Sequence, residues 1–203
     1  MMMYASPVVY VVDDDESVRK SLKRLLVSAG LDVEAFPSAA DFLSCDLHDR
    51  SGCLVLDVSM PGMTGLELQK ELNALNVRIP IIFITGFGNV PTSVHAMKAG
   101  AIDFLEKPFD DKTLILAVHR AIDRDAKRRR RDSEFLAVKN RWKRLTNRER
   151  QVFALVVTGM LNKQIASQLS ITEKTVKVHR ARVMQKMAAE SLADLVRLSE
   201  RLK

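Results

Sequence analysis

The chain has too few cysteines for a disulfide framework: Cys45 and Cys53 are its only two, in 203 residues. No His cluster lies near either, so zinc is also unsupported, and both are expected as buried thiols. No apolar run approaches the roughly 18 residues that cross a bilayer. Met1 to Pro7 lacks the basic-then-apolar order of a signal peptide, so a cytoplasmic protein with no membrane partner is expected. Aromatics are scarce, one Trp, two Tyr and eight Phe, which leaves no stacking platform for single-stranded nucleic acid. Phe109 to Thr158 contains neither glycine nor proline, so nothing there punctuates a helix. Acids, finally, are scarce at one end. Residues 1–123 carry 11 Lys and Arg against 17 Asp and Glu, a balance of −6, whereas residues 124–203 carry 21 against 8, a balance of +13. An acidic part joined to a basic part implies different partners for each.

What is present begins with strands that end in acids. Val8 to Val12 is β-branched and aromatic and runs into Asp13, Asp14, Asp15 and Glu16. Val18, Leu22, Leu25, Leu26 and Ala29 recur at helical spacing, and Gly30 supplies a stop. Asp32 to Phe36 reads as a second strand, and Ser38 caps a helix holding Ala39, Ala40, Phe42 and Leu43. Cys53 to Leu56 is a continuous apolar run of inner-strand character ended by Asp57. Leu66, Leu68, Leu72 and Leu75 form the next helix; Pro80 to Ile84 is a fourth strand ending at Thr85, with Gly86 and Gly88 keeping the following loop open. Val94, Met97 and Ala101 belong to a fourth helical segment and its end, and Ile102 to Leu105 is a fifth strand followed by Lys107-Pro108. Five such repeats predict a doubly wound α/β domain with a five-stranded parallel sheet.

In a parallel sheet the carboxyl ends of the strands share one edge, where ligands bind. Asp13, Asp14, Asp57, Thr85 and Lys107 therefore gather there. An isolated aspartate at such a position would as readily be a solvated cap, but three carboxylates repel one another unless a cation joins them. A hard divalent ion such as Mg²⁺ is the natural one. With Lys107 and Thr85 facing an incoming anion, Asp57 is placed to accept a phosphoryl group.

These residues resemble a CheY-like receiver domain of bacterial two-component response regulators over residues 4 to about 124. The resemblance implies the acidic pair at Asp13 and Asp14, the phosphoacceptor at Asp57 and the catalytic hydroxyl and lysine at Thr85 and Lys107. It further implies a cis Lys107-Pro108 bond, a metal ligand in the Ser59 carbonyl, a switch formed by Thr85 with Phe104, and the strand order 2-1-3-4-5. Phe104 lacks the hydroxyl of the tyrosine common in such domains, so only a packing switch is expected of it. A sensor histidine kinase is the implied phosphodonor.

Beyond Pro108, Leu114, Ala117, Val118, Ala121 and Ile122 keep helical spacing up to a polar stretch, Asp123 to Glu134, that holds Arg128 to Arg131. One long helix is expected, with a break inside it as the alternative, and the arginine run reads as a solvated face rather than a phosphate clamp. Four short helices follow. Thr146 and Glu149 have capping-box spacing; Asn162 to Leu169, a turn at Ser170 to Thr172, and Glu173 to Met187 have the order of a helix-turn-helix; Ser191 opens the last. On the third of these helices Val176, Val183 and Met187 share one side, while Lys174, Lys177, Val178, Ala181 and Arg182 share the other, suited to duplex DNA. His179 is expected as a buried hydrogen-bonding residue. LTNRERQV, NKQIASQL and ITEKTVKVHR resemble the LuxR-type DNA-binding domain of the FixJ/NarL class, which implies that Lys177, Val178 and Ala181 face bases.

The expected organisation is a receiver at 1–124, a helical linker at 125–141 and a DNA-binding domain at 142–203. The expected function is transcriptional control: phosphorylation of Asp57 promotes a homodimer through the fourth helix and fifth strand, with Val94 and Lys98 as contacts, and double-stranded promoter DNA is bound. RNA polymerase is a further candidate partner. An aspartyl-phosphate hydrolase is the enzymatic alternative, but it wants a second Asp two residues after the first, where Ser59 stands, so the protein is not expected to be an enzyme. A binding adaptor whose basic domain grips RNA or another protein is the other alternative.

Overall fold

A computed structural model describes residues 6–45, 51–86 and 90–202. Tyr4 and Gly88 lie outside the described residues. The chain divides into two compact units, Met1–Arg128 and Arg129–Lys203.

The first unit alternates strand and helix: β1 (Val8–Val12), α1 (Glu16–Ser28), β2 (Asp32–Phe36), α2 (Ala39–Leu43), β3 (Gly52–Asp57), α3 (Gly65–Ala74), β4 (Ile81–Thr85), α4 (Val90–Lys98), β5 (Asp103–Glu106). All pairings are parallel, in the order β2-β1-β3-β4-β5. Alternate strand residues feed two cores. Tyr10, Val12, Leu54, Leu56 and Phe83 pack with Phe42 of α2, Leu68 and Leu72 of α3 and Ala96 of α4. Val9, Val11, Val55, Ile82 and Ile84 pack on the other face with Leu22 and Leu26 of α1 and with Leu114, Ala117, Val118 and Ala121 of the next helix, α5 (Asp111–Lys143). With both faces covered, every residue of β3 is buried, as its unbroken apolar pattern implies.

Local chemistry starts the helices. The Asp15 side chain caps α1, and Ser38 Oγ accepts from Asp41 N at α2. Thr64 and Glu67 form a capping box at α3. Gly52 begins β3 because a Cβ there would sit 1.8 Å from the Val8 carbonyl oxygen, at a φ of 146°. Leu75 falls just past α3 and is exposed, because its position is the helix C-cap and not a turn of the apolar stripe. Cys53 is buried and its thiol is pushed up to about 12 by burial and then by Asp125, whereas Cys45 is only half-buried.

Helix α5 (Asp111–Lys143) runs unbroken for 33 residues, and the division between the units falls within it. The arginine run is not uniformly solvated. Buried Asp125 accepts the Gly52 N–H at 3.2 Å and pairs with half-buried Arg128, because a carboxylate under the start of β3 needs a cation beside it. Exposed Arg130 pairs with Glu134 at 3.1 Å. No helix among the described residues is long and apolar enough to cross a membrane.

The second unit adds α6 (Asn147–Val156), α7 (Asn162–Leu169), α8 (Glu173–Met187) and α9 (Leu192–Glu200) around Val138, Val152, Phe153, Ile165, Val176, Val183, Met187 and Leu195. The Thr146–Glu149 capping box is present at α6. Glu149 is also buried, and Lys186 of α8 reaches its carboxylate at 2.7 Å. Burial works against the charge of Glu149, but the bonds from Lys186 and Thr146 override it and hold the carboxyl below its usual range. A lowered carboxyl stabilises the fold above its ordinary value near pH 4, and that contribution is lost as the pH falls through the folded value. Replacing Glu149 with Gln is therefore expected to cost about 1 to 2 kcal/mol at pH 7 and progressively less in acid. Urea unfolding followed by fluorescence of Trp142, the sole Trp, which packs on this core, checks both the loss and its pH dependence.

Candidate phosphoacceptor site and DNA-binding helix

Parallel pairing brings the ends of β1, β3 and β4 to one edge of the sheet. Asp13 directly follows β1 and is 1% exposed, Asp57 ends β3 at 6%, and Thr85 ends β4 fully buried. Lys107, just after β5, joins the two acids: its Nζ lies 2.8 Å from Asp13 Oδ2 and 2.8 Å from Asp57 Oδ1. The Lys107 N–H donates to the Thr85 carbonyl at 2.7 Å, which fixes where that side chain departs. The cis Lys107-Pro108 peptide is present.

Each remaining acid oxygen meets a backbone donor. Ser59 N–H donates to Asp57 Oδ2 at 2.7 Å, and Asp15 N–H donates to Asp13 Oδ1 at 2.9 Å. Arg19 Nη1 donates to the Asp13 carbonyl at 2.7 Å. The turn behind Asp57 is tight, since a Cβ on Gly65 would sit 2.2 Å from the Asp57 carbonyl oxygen, so only glycine lets α3 start there. Burial raises the Asp57 pKa, and Lys107 and the Ser59 amide pull it back only in part. Burial also opposes the charge on Lys107, yet its bonds to Asp13 and Asp57 outweigh this and hold it above the usual lysine value.

Asp14 is exposed at the rim, and Ser59 presents its backbone to Asp57 while its residue surface is open. Phe104 on β5 is half-buried and packs on Phe83, with ring centroids 6.1 Å apart. Among the described residues no three acidic, His or Cys side chains already stand as a metal-ligand set. Lys107 holds the two buried acids together instead. The donors nearby are all oxygen, however, which is the set that fits Mg²⁺.

The second unit presents a different surface. α7 and α8 are joined through Ser170, in the left-handed conformation at φ 53°, and Thr172 caps α8 by accepting from Thr175 N. Val176, Val183 and Met187 are fully buried. Lys174, Lys177, Val178, Ala181 and Arg182 are all exposed on the opposite side. Arg180 instead turns to Asn162, 3.0 Å away, and ties α8 to the start of α7. His179 is half-buried, and its Nδ1 has no hydrogen-bond partner among the described residues, unlike the bonded residue its position suggested.

Residues 9–119 match the family described as response regulator receiver domain, and residues 143–199 match bacterial regulatory proteins of the luxR family. Nodulation protein W of Bradyrhizobium diazoefficiens is 51% identical over 195 residues, spanning 96% of this chain and 86% of that protein. Transcriptional regulatory protein FixJ of Azorhizobium caulinodans is 50% identical over 191 residues, 94% and 90% of the two chains. The solved structure of the response regulator StyR matches with a TM-score of 0.90 at 49% identity, covering 97% of this chain and 100% of that one. The chain belongs to the response regulator family. It joins a receiver domain to a luxR-type helix-turn-helix domain.

In this response regulator the strand-end acids, Thr85 and Lys107 were legible from sequence, and the Ser59 amide, Arg19 and Gly65 were not. Because Lys107 is held above its ordinary value by two ionised acids, its charge stabilises the fold near neutral pH, and that contribution is lost as pH rises through the elevated folded value. Removing it by Lys107→Ala leaves two buried acids facing each other, at an expected cost of about 3 kcal/mol near pH 7. That cost shrinks as pH falls and Asp57, whose pKa is already raised, takes a proton. Urea unfolding of variant and wild type at pH 7 and pH 5 measures the convergence.

Proposed function

We propose that a sensor histidine kinase phosphorylates Asp57 in a Mg²⁺-dependent reaction, and that the phosphorylated response regulator dimerises and binds double-stranded promoter DNA to control transcription. The observation that carries this reading is the Lys107 ammonium shared between buried Asp13 and buried Asp57 at 2.8 Å. A carboxylate so held stays ionised in a pocket whose burial opposes its charge, and it has a cation beside it for an arriving phosphoryl group.

An Asp57 carboxylate oxygen attacks phosphorus, and the bond from phosphorus to the kinase histidine breaks, its electron pair returning to nitrogen. Asp13, Asp14, Asp57 and the Ser59 carbonyl would hold Mg²⁺. When bound, the ion supplies neutralising charge to the phosphoryl oxygens. Lys107 exchanges the Asp57 carboxylate for a phosphoryl oxygen, and the Thr85 hydroxyl donates to another. The acyl phosphate adds about −1.5 to −2 charges next to those two groups. They stand at the end of β4 and just past β5. Drawing them in shifts the α4–β5 face, with Phe104 repacking as Thr85 moves. Exposed Val94 and Lys98 of α4 supply the dimer contacts. A two-fold dimer then presents two copies of α8 to paired half-sites, where RNA polymerase is the partner expected of a promoter-bound regulator. The residue two positions after Asp57 is Ser59, which cannot act as the general acid of an aspartyl-phosphate hydrolase, so turnover of an external substrate is not part of this function.

Asp57→Asn is expected to keep the fold and to lose phosphorylation. Intact mass after treatment with a small phosphodonor and Mg²⁺ reads the modification, and sedimentation of the same samples reads the dimer. An Asn variant that still gains phosphate, or a phosphorylated wild type that stays monomeric while its DNA affinity rises, contradicts the scheme. For the DNA face, Lys177→Ala is expected to cost about 1 to 3 kcal/mol of specific binding, more than any single alanine within Arg128 to Arg131. Gel-shift titration at fixed salt against operator and unrelated duplex measures it.

A further inference from the structure

We propose that Gln69 is a positioning residue that hinges α4 at its C-terminal end, so that phosphorylation of Asp57 swings the first turn of α4 while the last turn stays fixed. The inference rests on the reading that the α4–β5 face responds to phosphorylation, and it says how that face moves.

Gln69 lies on α3 and is 2% exposed. A buried amide is costly unless it is hydrogen-bonded, and Leu or Met would fill the same space without that cost. Its Nε2 donates at 3.2 Å to the carbonyl of Ala96, the buried residue of α4. That carbonyl also accepts the Ala101 N–H at 3.1 Å. One turn further along α3, Asn73 Nδ2 donates to the Ala99 carbonyl at 3.4 Å. The last carbonyls of a helix have no donors within it, and here α3 supplies two. Just beyond, Ile102 N–H donates to Ile81 O at 2.7 Å, which joins the exit of α4 to the start of β4.

The other end of α4 is built differently. Val90, its first residue, is 75% exposed, whereas Ala96 and Ala101 at the opposite end are in the core. Thr85, the group that meets the phosphate, stands five positions before Val90, the first residue of α4. A pull applied there acts on a nine-residue helix whose C-terminal end is bonded to α3 and whose first residue is exposed. The response is rotation about the bonded end, and the Gln69 amide defines the axis.

Amide hydrogen exchange of the full chain, with and without a small phosphodonor and Mg²⁺, tests this. In the wild type, phosphorylation is expected to change exchange over Val90–Val94 and to leave Ala96–Ala101 unchanged. Gln69→Met keeps the volume and removes the donor. It is expected to accept phosphate at the wild-type rate, while protection of Ala96–Ala101 falls about three- to tenfold on phosphorylation. Simple destabilisation would lower protection equally in both states and would overturn the proposal, as would a variant indistinguishable from wild type. If the variant does not fold, the wild-type profile decides, because a change spread over the whole of α4 excludes a hinge. Sedimentation separates the two readings. A hinged profile in a protein that remains monomeric leaves the hinge standing and removes dimerisation, whereas a phosphorylated chain with no change in α4 removes both.

Discussion

One ammonium between two buried carboxylates organises the receiver unit. Lys107 leaves from β5, at the edge of the sheet, and reaches acids on β3 and at the end of β1, which neighbour each other further in. With strands about 4.8 Å apart, that reach requires the segment after β5 to fold back over the sheet edge. The Lys107 N–H bond to Thr85 holds it there. The strand order and the glycine behind Asp57 serve the same small volume. Without the lysine, Asp13 and Asp57 would repel in a site that water barely reaches.

This arrangement is useful because it is not at its electrostatic optimum for Asp57. Burial raises the carboxyl, and Lys107 and the Ser59 amide restore only part of what hydration would have given. In the proposed reaction an incoming phosphoryl group would bring more negative charge, and its counter-charge would already be in place on Lys107. The cost of assembling that counter-charge is met during folding, which is the general logic of a preorganised site.

The second unit solves a different problem with different means. Its charged residues are spent on two tasks, and position on the helix separates them. Arg148, Arg180 and Lys186 turn inward, to the Leu169 carbonyl, to Asn162 and to Glu149, and hold the small core's helices in place. Lys174, Lys177 and Arg182 face solvent, so that basic surface is not consumed by the fold. Along α5 the arginines divide in the same way, Arg128 closing over Asp125 while Arg130 pairs at the surface.

What the sequence determined by itself were the features governed by neighbours in the chain. Apolar runs placed all five strands within a residue or so of their observed bounds, and Ser38, Thr146 and Ser191 marked helix starts because a cap bonds only three residues ahead. The acids at strand ends were legible for a related reason: a parallel sheet gathers those ends whatever the strand order. Tertiary structure alone decided the partners. Lys107 meets Asp13 across 94 residues, Asp125 meets Gly52 across 73, Lys186 meets Glu149 across 37 and Gln69 meets Ala96 across 27. No periodicity links residues so far apart. Whether Asp125 is a solvated helix acid or a buried acceptor, and whether Gln69 is a polar surface residue or a hinge, depends on which backbone groups the packed helices and strands bring against them.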